Sequence, residues 1–443
     1  MMEAMKDSGI RWIGAIPESW NTKRIKYVAN LKGRIGWQGL TSEEYQDEGA
    51  FLITGVDFLD GGIDWENCVH VPMKRWEEAK GIQIEEGDLL ITKDGTVGKV
   101  AIVKDMPGET SLNSGVLRIM PIEGYSRRFL YWVIQSEEFW NWFNYKNAGN
   151  STIIHLYQGD FAEFIYAFPD YAEQEAIADY LDKHCAKLDS IISDLDLQIE
   201  TLQKYRKSLI LKTVIHGIDN TSLKESRIEW ARDIPENWST LRMQDIADYK
   251  KGPFGSAVTV DMFIEKDDDT FKVYEQKNAI NADHELGWYY LSYEDYRGLK
   301  DFAVVPGDVI VSCAGTIGKC YILPEGIEPG IINQALMRVR IHEGFSKQYF
   351  LYVFDVALEY MNEKYSNGSA IKNIPPFSVL KKQEIPVPPY DEQLKLVQYL
   401  DRTCEKLDTI QSMKEQQLKV AKEEKTALIF EYVTGKKRVK EAM

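Results

Sequence analysis

Residues 168–191, FPDYAEQEAIADYLDKHCAKLDSI, and residues 387–410, VPPYDEQLKLVQYLDRTCEKLDTI, are one motif written twice. Tyr171, Glu173, Gln174, Tyr180, Leu181, Asp182, Cys185, Lys187, Leu188 and Asp189 recur as Tyr390, Glu392, Gln393, Tyr399, Leu400, Asp401, Cys404, Lys406, Leu407 and Asp408. From 171 to 216 there is no Pro or Gly, and Leu188, Leu195, Leu202 and Leu209 stand seven residues apart, with Ile192 and Ile199 four after the first two. That spacing predicts the seam of a coiled coil. Asp170 ahead of the run, Lys204, Arg206, Lys207 and Lys212 near its end, and Gly217 just past it are helix start and stop signals. The prediction is one helix about 50 to 60 Å long at about 1.5 Å rise per residue. An amphipathic core helix shows a similar face; the second copy favours a pair of rods. Its seam is looser, with Leu407, Leu418, Ala421 and Leu428, because Gln411 and Lys414 replace Ile192 and Leu195. It stops at Thr434-Gly435 as the first stops at His216-Gly217.

The repetition extends over nearly the whole chain. SGIRWIGAIPESW at 8–20 returns as SRIEWARDIPENW at 226–238, GDLLITKDGTVGK at 87–99 as GDVIVSCAGTIGK at 307–319, and EGYSRRFLYWV at 123–133 as EGFSKQYFLYV at 343–353, always at an offset of 218 to 220 residues. The expected organisation is a globular domain over 1–167, a helical spacer over 168–220, a second globular domain over 221–385 and a second helical spacer over 386–443. GIDNTSLKE at 217–225 reads as a linker and GKKRVKEAM at 435–443 as a frayed end. The globular parts mix short β-branched runs (51–56, 89–92, 99–103, 309–312) with helices such as Arg127 to Asn144, so the fold class is α/β. The helices are expected to run antiparallel, relating the two domains by an internal pseudo-two-fold. Residues 32–82 and 251–302, by contrast, share only a KG start and a nearby glycine. One scaffold with two unlike faces points to two unlike targets; drift in tolerant loops is the plain alternative.

With 443 residues, 44% hydrophobic and 28% charged, the chain is of ordinary globular composition. It has no apolar run of membrane-spanning length and no apolar h-region at its start, so no membrane contact and a cytoplasmic location are expected. Cys68, Cys185, Cys313, Cys320 and Cys404 form no C-x-x-C pair, and reduced thiols are expected. The formal charge of −16 argues against a protein that coats nucleic acid unselectively and leaves room for a focal basic site.

GTVGK and GTIGK lack the first Gly and the final Ser or Thr of a phosphate loop, with Lys93 and Cys313, Val100 and Cys320 in those places. They read as hairpin turns offering Lys99 and Lys319, with Lys93, Thr96 and Thr316 beside them. VPPY resembles the [DN]PP[YF] signature of amino-methyltransferases, but Val387 cannot accept a hydrogen bond and FPDY at 168–171 shows a corner instead. The basic window 21–36, with Lys32, Arg34 and then Trp37, and the matching KKGPFGS with Lys250, Lys251 and Ser256, are candidate DNA-facing loops. Asn113, Ser114, Asn333 and Gln334 suit adenine edges, although amides in turns are often local caps. Asn150, Ser151 and Ser369 complete the candidates. The six histidines form no metal-spaced cluster, and no catalytic constellation is visible.

Two unlike globular units, each followed by a helix opening PxYxEQ…YLD, together with IPESW, the GDLLITKDGTVGK segment and NSTI at 150–153, resemble the specificity subunits of type I restriction-modification systems over essentially the whole chain. The resemblance implies a non-catalytic subunit whose target-recognition domains each read half of a bipartite, asymmetric sequence in double-stranded DNA, with the helices fixing the gap. It also implies two modification subunits that bring S-adenosylmethionine, and restriction subunits that use ATP and Mg; no cofactor is expected on this chain. A two-headed protein-binding scaffold is the alternative.

Overall fold

The computed structural model describes residues 4–34, 40–148, 155–219, 221–365 and 374–439; Trp37, Asn150, Ser151 and Ser369 lie outside them. The chain forms two compact units, Met1–Leu197 with Lys414–Met443, and Gln198–Met413. The predicted rods are single helices, Tyr171–His216 and Tyr390–Val433. Each gives one half to either unit. Asp170 caps the first, its Oδ1 accepting from the Glu173 N–H at 2.9 Å, and Gly217 ends it at φ +73°.

Each unit is built on a four-stranded antiparallel sheet. In unit 1 the order is Val100–Ile102, Leu89–Thr92, Val116–Pro121, Ala29–Gly33; in unit 2 it is Cys320–Ile322, Val309–Ser312, Leu336–Ile341, Ala247–Lys251. A second sheet in each has one parallel pairing, Ala50–Ile53 with Thr110–Leu112 and Phe271–Tyr274 with Gly330–Ile332. Asp88, 1% exposed, is met by Arg118 at 2.6 Å; its counterpart Asp308 is met by Arg340, two residues beyond the matching strand position. Residues two apart on a strand share a face, so either position delivers the guanidinium.

The predicted helix Arg127 to Asn144 is corrected to two, Arg127–Gln135 and Glu137–Asn147, parted at an extended Ser136 whose hydroxyl donates to the Val133 carbonyl at 2.7 Å. Serine competes in this way with helical hydrogen bonding. Unit 2, with Val356 there, keeps one helix, Lys347–Tyr365. The linker is also shorter than predicted, because Leu223–Ile228 pairs with Ala231–Pro235. Nor is the C-terminal segment loose through 438: the Lys436 ammonium donates to the Ile13 and Ala15 carbonyls at 3.0 and 3.1 Å, and Arg438 pairs with Glu173.

Within each unit the two helical stretches pack antiparallel. In unit 1, Cys185, Leu188, Ile192 and Leu195 fall at alternating steps of three and four on the covered side, as do Lys414, Leu418, Ala421, Lys425 and Leu428 on the other strand of the pair. In unit 2 the same spacing continues through Ile199, Leu202, Arg206 and Leu209, opposite Cys404, Leu407 and Gln411. Most of these side chains are only half-buried, as expected for a two-helix seam. Asp189 pairs with Lys425 at 2.5 Å in unit 1, and Asp408 with Arg206 at 3.0 Å in unit 2; these are the same contact at the repeat offset. The helix ends enter the cores: Ile177, Leu181, Ile429 and Val433 join the unit 1 core, and Leu396, Leu400, Ile210 and Val214 that of unit 2. Cys185 and Cys404 are buried beside these cores, and burial pushes the Cys185 thiol up to about 12.

Candidate nucleic-acid interface

The doubled PxYxEQ motif turns out to be a structural corner. Its glutamate accepts from the indole of the IPxxW motif, Trp20 to Glu173 at 3.3 Å and Trp238 to Glu392 at 2.9 Å. Its glutamine is buried and bridges three backbone groups in unit 1. Gln174 Oε1 accepts from the Ser126 N–H at 2.8 Å, and its Nε2 donates to the Pro169 and Gly124 carbonyls at 2.9 and 3.3 Å. Gln393 repeats this with Ser346 and Pro388 at 2.8 and 3.0 Å. The PxYxEQ and IPxxW motifs common to both repeats therefore join helix to domain.

The candidate readers gather at the hairpin tips instead. In unit 1 the turn 93–99 is closed by the Thr92 hydroxyl, which donates to the Thr96 carbonyl and accepts from the Lys99 N–H at 2.9 Å. Ser312 accepts from the Lys319 N–H at 3.0 Å in the same way. Gly98 (φ +86°) and Gly318 (φ +78°) lie against Trp140 and Leu358, whose atoms come within 2.4 and 2.3 Å of where a Cβ would stand. The second glycine of GTxGK is thus a packing requirement, and Thr96, Lys99, Thr316 and Lys319 remain exposed around it.

The Thr96 hydroxyl lies 3.4 Å from the Gly55 carbonyl, so the hairpin abuts the loop carrying Val56, which is 83% exposed. Lys93 is half-buried and its backbone bonds to Gly115 and Leu156. His155 reaches Asp94 at 2.6 Å. Asn113 caps its own turn: Oδ1 accepts from the Gly115 N–H at 2.7 Å and the amide donates to the Tyr45 hydroxyl at 3.2 Å. Asn333 likewise accepts from the Ala335 N–H at 3.0 Å, while Ser114 and Gln334 beside them stay exposed. The Asn333 carbonyl stands 1.8 Å from where a Gly252 Cβ would lie, so KKGPFGS starts hard against this turn. Lys32 and Lys251 are exposed on the edge strands leading there, and Ser256 and Phe254 (89% exposed) on the loop beyond.

Two candidates, Arg34 and Lys250, sit elsewhere. Arg34 is 5% exposed and donates to the Leu112 carbonyl at 2.7 Å, with burial lowering its pKa, so in this conformation it braces strands. Lys250 is half-buried over Phe302 with Asp301 at 3.5 Å. Lys99 leans along the hairpin flank, its ammonium 3.5 Å from the Phe58 carbonyl in a recess shared with Asp60, Gln135 and Trp140. Sequence reasoning missed Gln276, which donates to the Ala314 and Thr316 carbonyls and so joins the divergent segment to the hairpin. It also missed Lys277 and Trp288. A glycine ahead of three aromatics, GWYY at 287–290, was the available signal.

Among the described residues no group of three or more His, Cys, Asp or Glu is placed to hold a metal, and no helix is long and apolar enough to cross a membrane.

The family model for the type I restriction modification DNA specificity domain matches the chain twice, at residues 17–201 and 235–420. Among curated proteins, the putative type I restriction enzyme MjaX specificity subunit of Methanocaldococcus jannaschii is 25% identical over 97% of this chain and 96% of its own length. The EcoBI specificity subunit of Escherichia coli is 22% identical over 91% and 83%. A solved chain described for complex assembly and conformational transition of the type I R-M system shares the fold at TM-score 0.70 and 15% identity, covering 94% of this chain and 98% of that one. The HsdS subunit from Thermoanaerobacter tengcongensis does so at TM-score 0.50 and 14% identity, covering 95% and 98%. Matched in both of its repeats, the chain belongs to the type I restriction-modification DNA specificity family.

Proposed function

We propose that this chain is the non-catalytic, sequence-reading subunit of a type I restriction-modification complex. Each unit reads one half of a bipartite, asymmetric site in double-stranded DNA, the first through 1–167 and the second through 221–385, and the two shared helices hold the gap between halves. The observation that carries this reading is the division of labour inside each unit. The corner contacts of the glutamate and of the buried glutamine with the Ser N–H and the Pro carbonyl recur in both units, whereas the loops around the hairpin tips do not. A scaffold held constant beneath a varied rim is what two different half-sites require.

The rim residues expected to face the duplex are Lys32, Thr96, Lys99 and Ser114 in unit 1 and Lys251, Ser256, Thr316, Lys319 and Gln334 in unit 2. Amides, hydroxyls and a few lysines suit base edges and phosphates, respectively. With a formal charge of −16, the chain alone carries little general attraction for DNA. Two modification subunits, supplying S-adenosylmethionine and adenine methylation, would complete a clamp, and restriction subunits would bring ATP and Mg; the complex works in the cytoplasm. Gel-shift titration with and without modification subunits tests this. Affinity for the target should rise when they are added, and equal affinity in both titrations contradicts the proposal.

A further inference from the structure

The 281–288 loop of unit 2 is held by an unusually costly foundation. Lys272 is 1% exposed, yet its ammonium donates to the His284 and Glu285 carbonyls at 2.7 and 3.0 Å, with Glu328 at 3.4 Å. Asn278, fully buried, donates to the Asp283 and Leu286 carbonyls at 2.9 and 2.7 Å. Ala282 at φ +49° and Gly287 at φ +103° bracket the same turn, the former a strained conformation for a residue with a Cβ. Burying a cation costs far more than an apolar residue there would, so its use to fix two loop carbonyls, with Asn278 fixing two more, is explained by a required loop shape.

What the loop presents is Trp288, 73% exposed. Lys277 sits 4.5 Å from the ring centroid and is itself paired with Glu275 at 2.7 Å; behind them Tyr289 stacks on Phe263 at 4.3 Å. A single exposed apolar side chain is ordinary. An indole with its backbone pinned from beneath is a preorganised contact. Its place is set by Gln276, adjacent to Lys277, which bonds to the carbonyls of the GTIGK hairpin.

We infer that Trp288 is a specificity-determining contact of unit 2, its indole packing on a base of the half-site that this unit reads. This rests on the reading of unit 2 as a DNA-reading domain. Because Glu275 already neutralises Lys277, the contact draws on apolar packing more than on phosphate attraction, and its loss should leave the salt dependence of binding unchanged.

The test uses the full chain with its modification subunits. A duplex is selected from a randomised pool by the wild type, and its affinity is compared for wild type, Trp288→Ala and Trp288→Phe, with thermal midpoints as a folding control. Trp288→Ala should weaken binding to the selected duplex roughly tenfold or more while affecting a scrambled duplex little, and Trp288→Phe should recover part of the loss. Reselection with Trp288→Ala should blur one half of the motif alone. A wild-type chain that selects no motif overturns the reading of the chain as a DNA reader and this inference with it. A clear wild-type motif with unchanged Trp288→Ala affinity, or equal weakening on both duplexes, overturns the assignment of Trp288 alone.

Discussion

The corners and the rims of the two units have opposite histories written in them. At the corner, Trp20, Glu173 and Gln174 do what Trp238, Glu392 and Gln393 do, with matching hydrogen bonds. At the rim, unit 1 sets Val56 beside its hairpin where unit 2 sets Gln276, Lys277 and Trp288. Repetition at the corner therefore marks what joining a domain to two helices demands, and divergence at the rim marks what each domain is free to choose.

The comparison breaks most easily at the buried glutamines. Gln174→Ala strands the Ser126 N–H and the Pro169 carbonyl in the interior, and Gln393→Ala strands the Ser346 N–H and the Pro388 carbonyl, so each should cost about 2 to 3 kcal/mol in chemical denaturation. Unequal losses would show that the corners are not equivalent. Gly435→Ala comes next. At φ +71°, with Pro17 Cδ 2.6 Å from where the new Cβ would stand, it should cost about 2 kcal/mol or more. Gly217→Ala, whose nearest neighbour is Trp238 at 3.3 Å, should cost about 1 kcal/mol. Lys319→Ala should leave stability unchanged and lower the slope of log affinity against log salt by about one, on every sequence alike. A sequence-dependent loss would move Lys319 from the backbone to a base. Asp189→Asn and Asp408→Asn should be the smallest, each under about 0.5 kcal/mol, because both ion pairs are largely exposed.

The parts legible in the sequence were those whose physics is local or repeated. A run without Pro or Gly between Asp170 and Gly217, with leucines spaced seven apart, selects the helical period, and the helix Tyr171–His216 follows. Strands Leu89–Thr92 and Val309–Ser312 fall where their β-branched runs predicted. The Ser136 break was hidden because one serine in an otherwise helical stretch gives no strong stop signal. At the rim, charge was a poor guide to position. Arg34 lies in the most basic window of unit 1 yet turns inward to the Leu112 carbonyl, since a strand end decides by pairing which way a side chain faces. Conversely, Lys272 and Trp288 lie sixteen residues apart in a segment without periodicity, and only the fold joins the buried cation to the loop it holds.

The measurement that bears most directly on two unlike readers carried by one doubled scaffold is selection from a randomised duplex pool. It should be run with the wild-type chain and with a variant altered only at Trp288 and Gln334 of the unit 2 rim, both with modification subunits present. The account predicts a motif of two separated blocks, of which the variant loses or changes one and keeps the other. A single continuous block, or two blocks that change together, would contradict it.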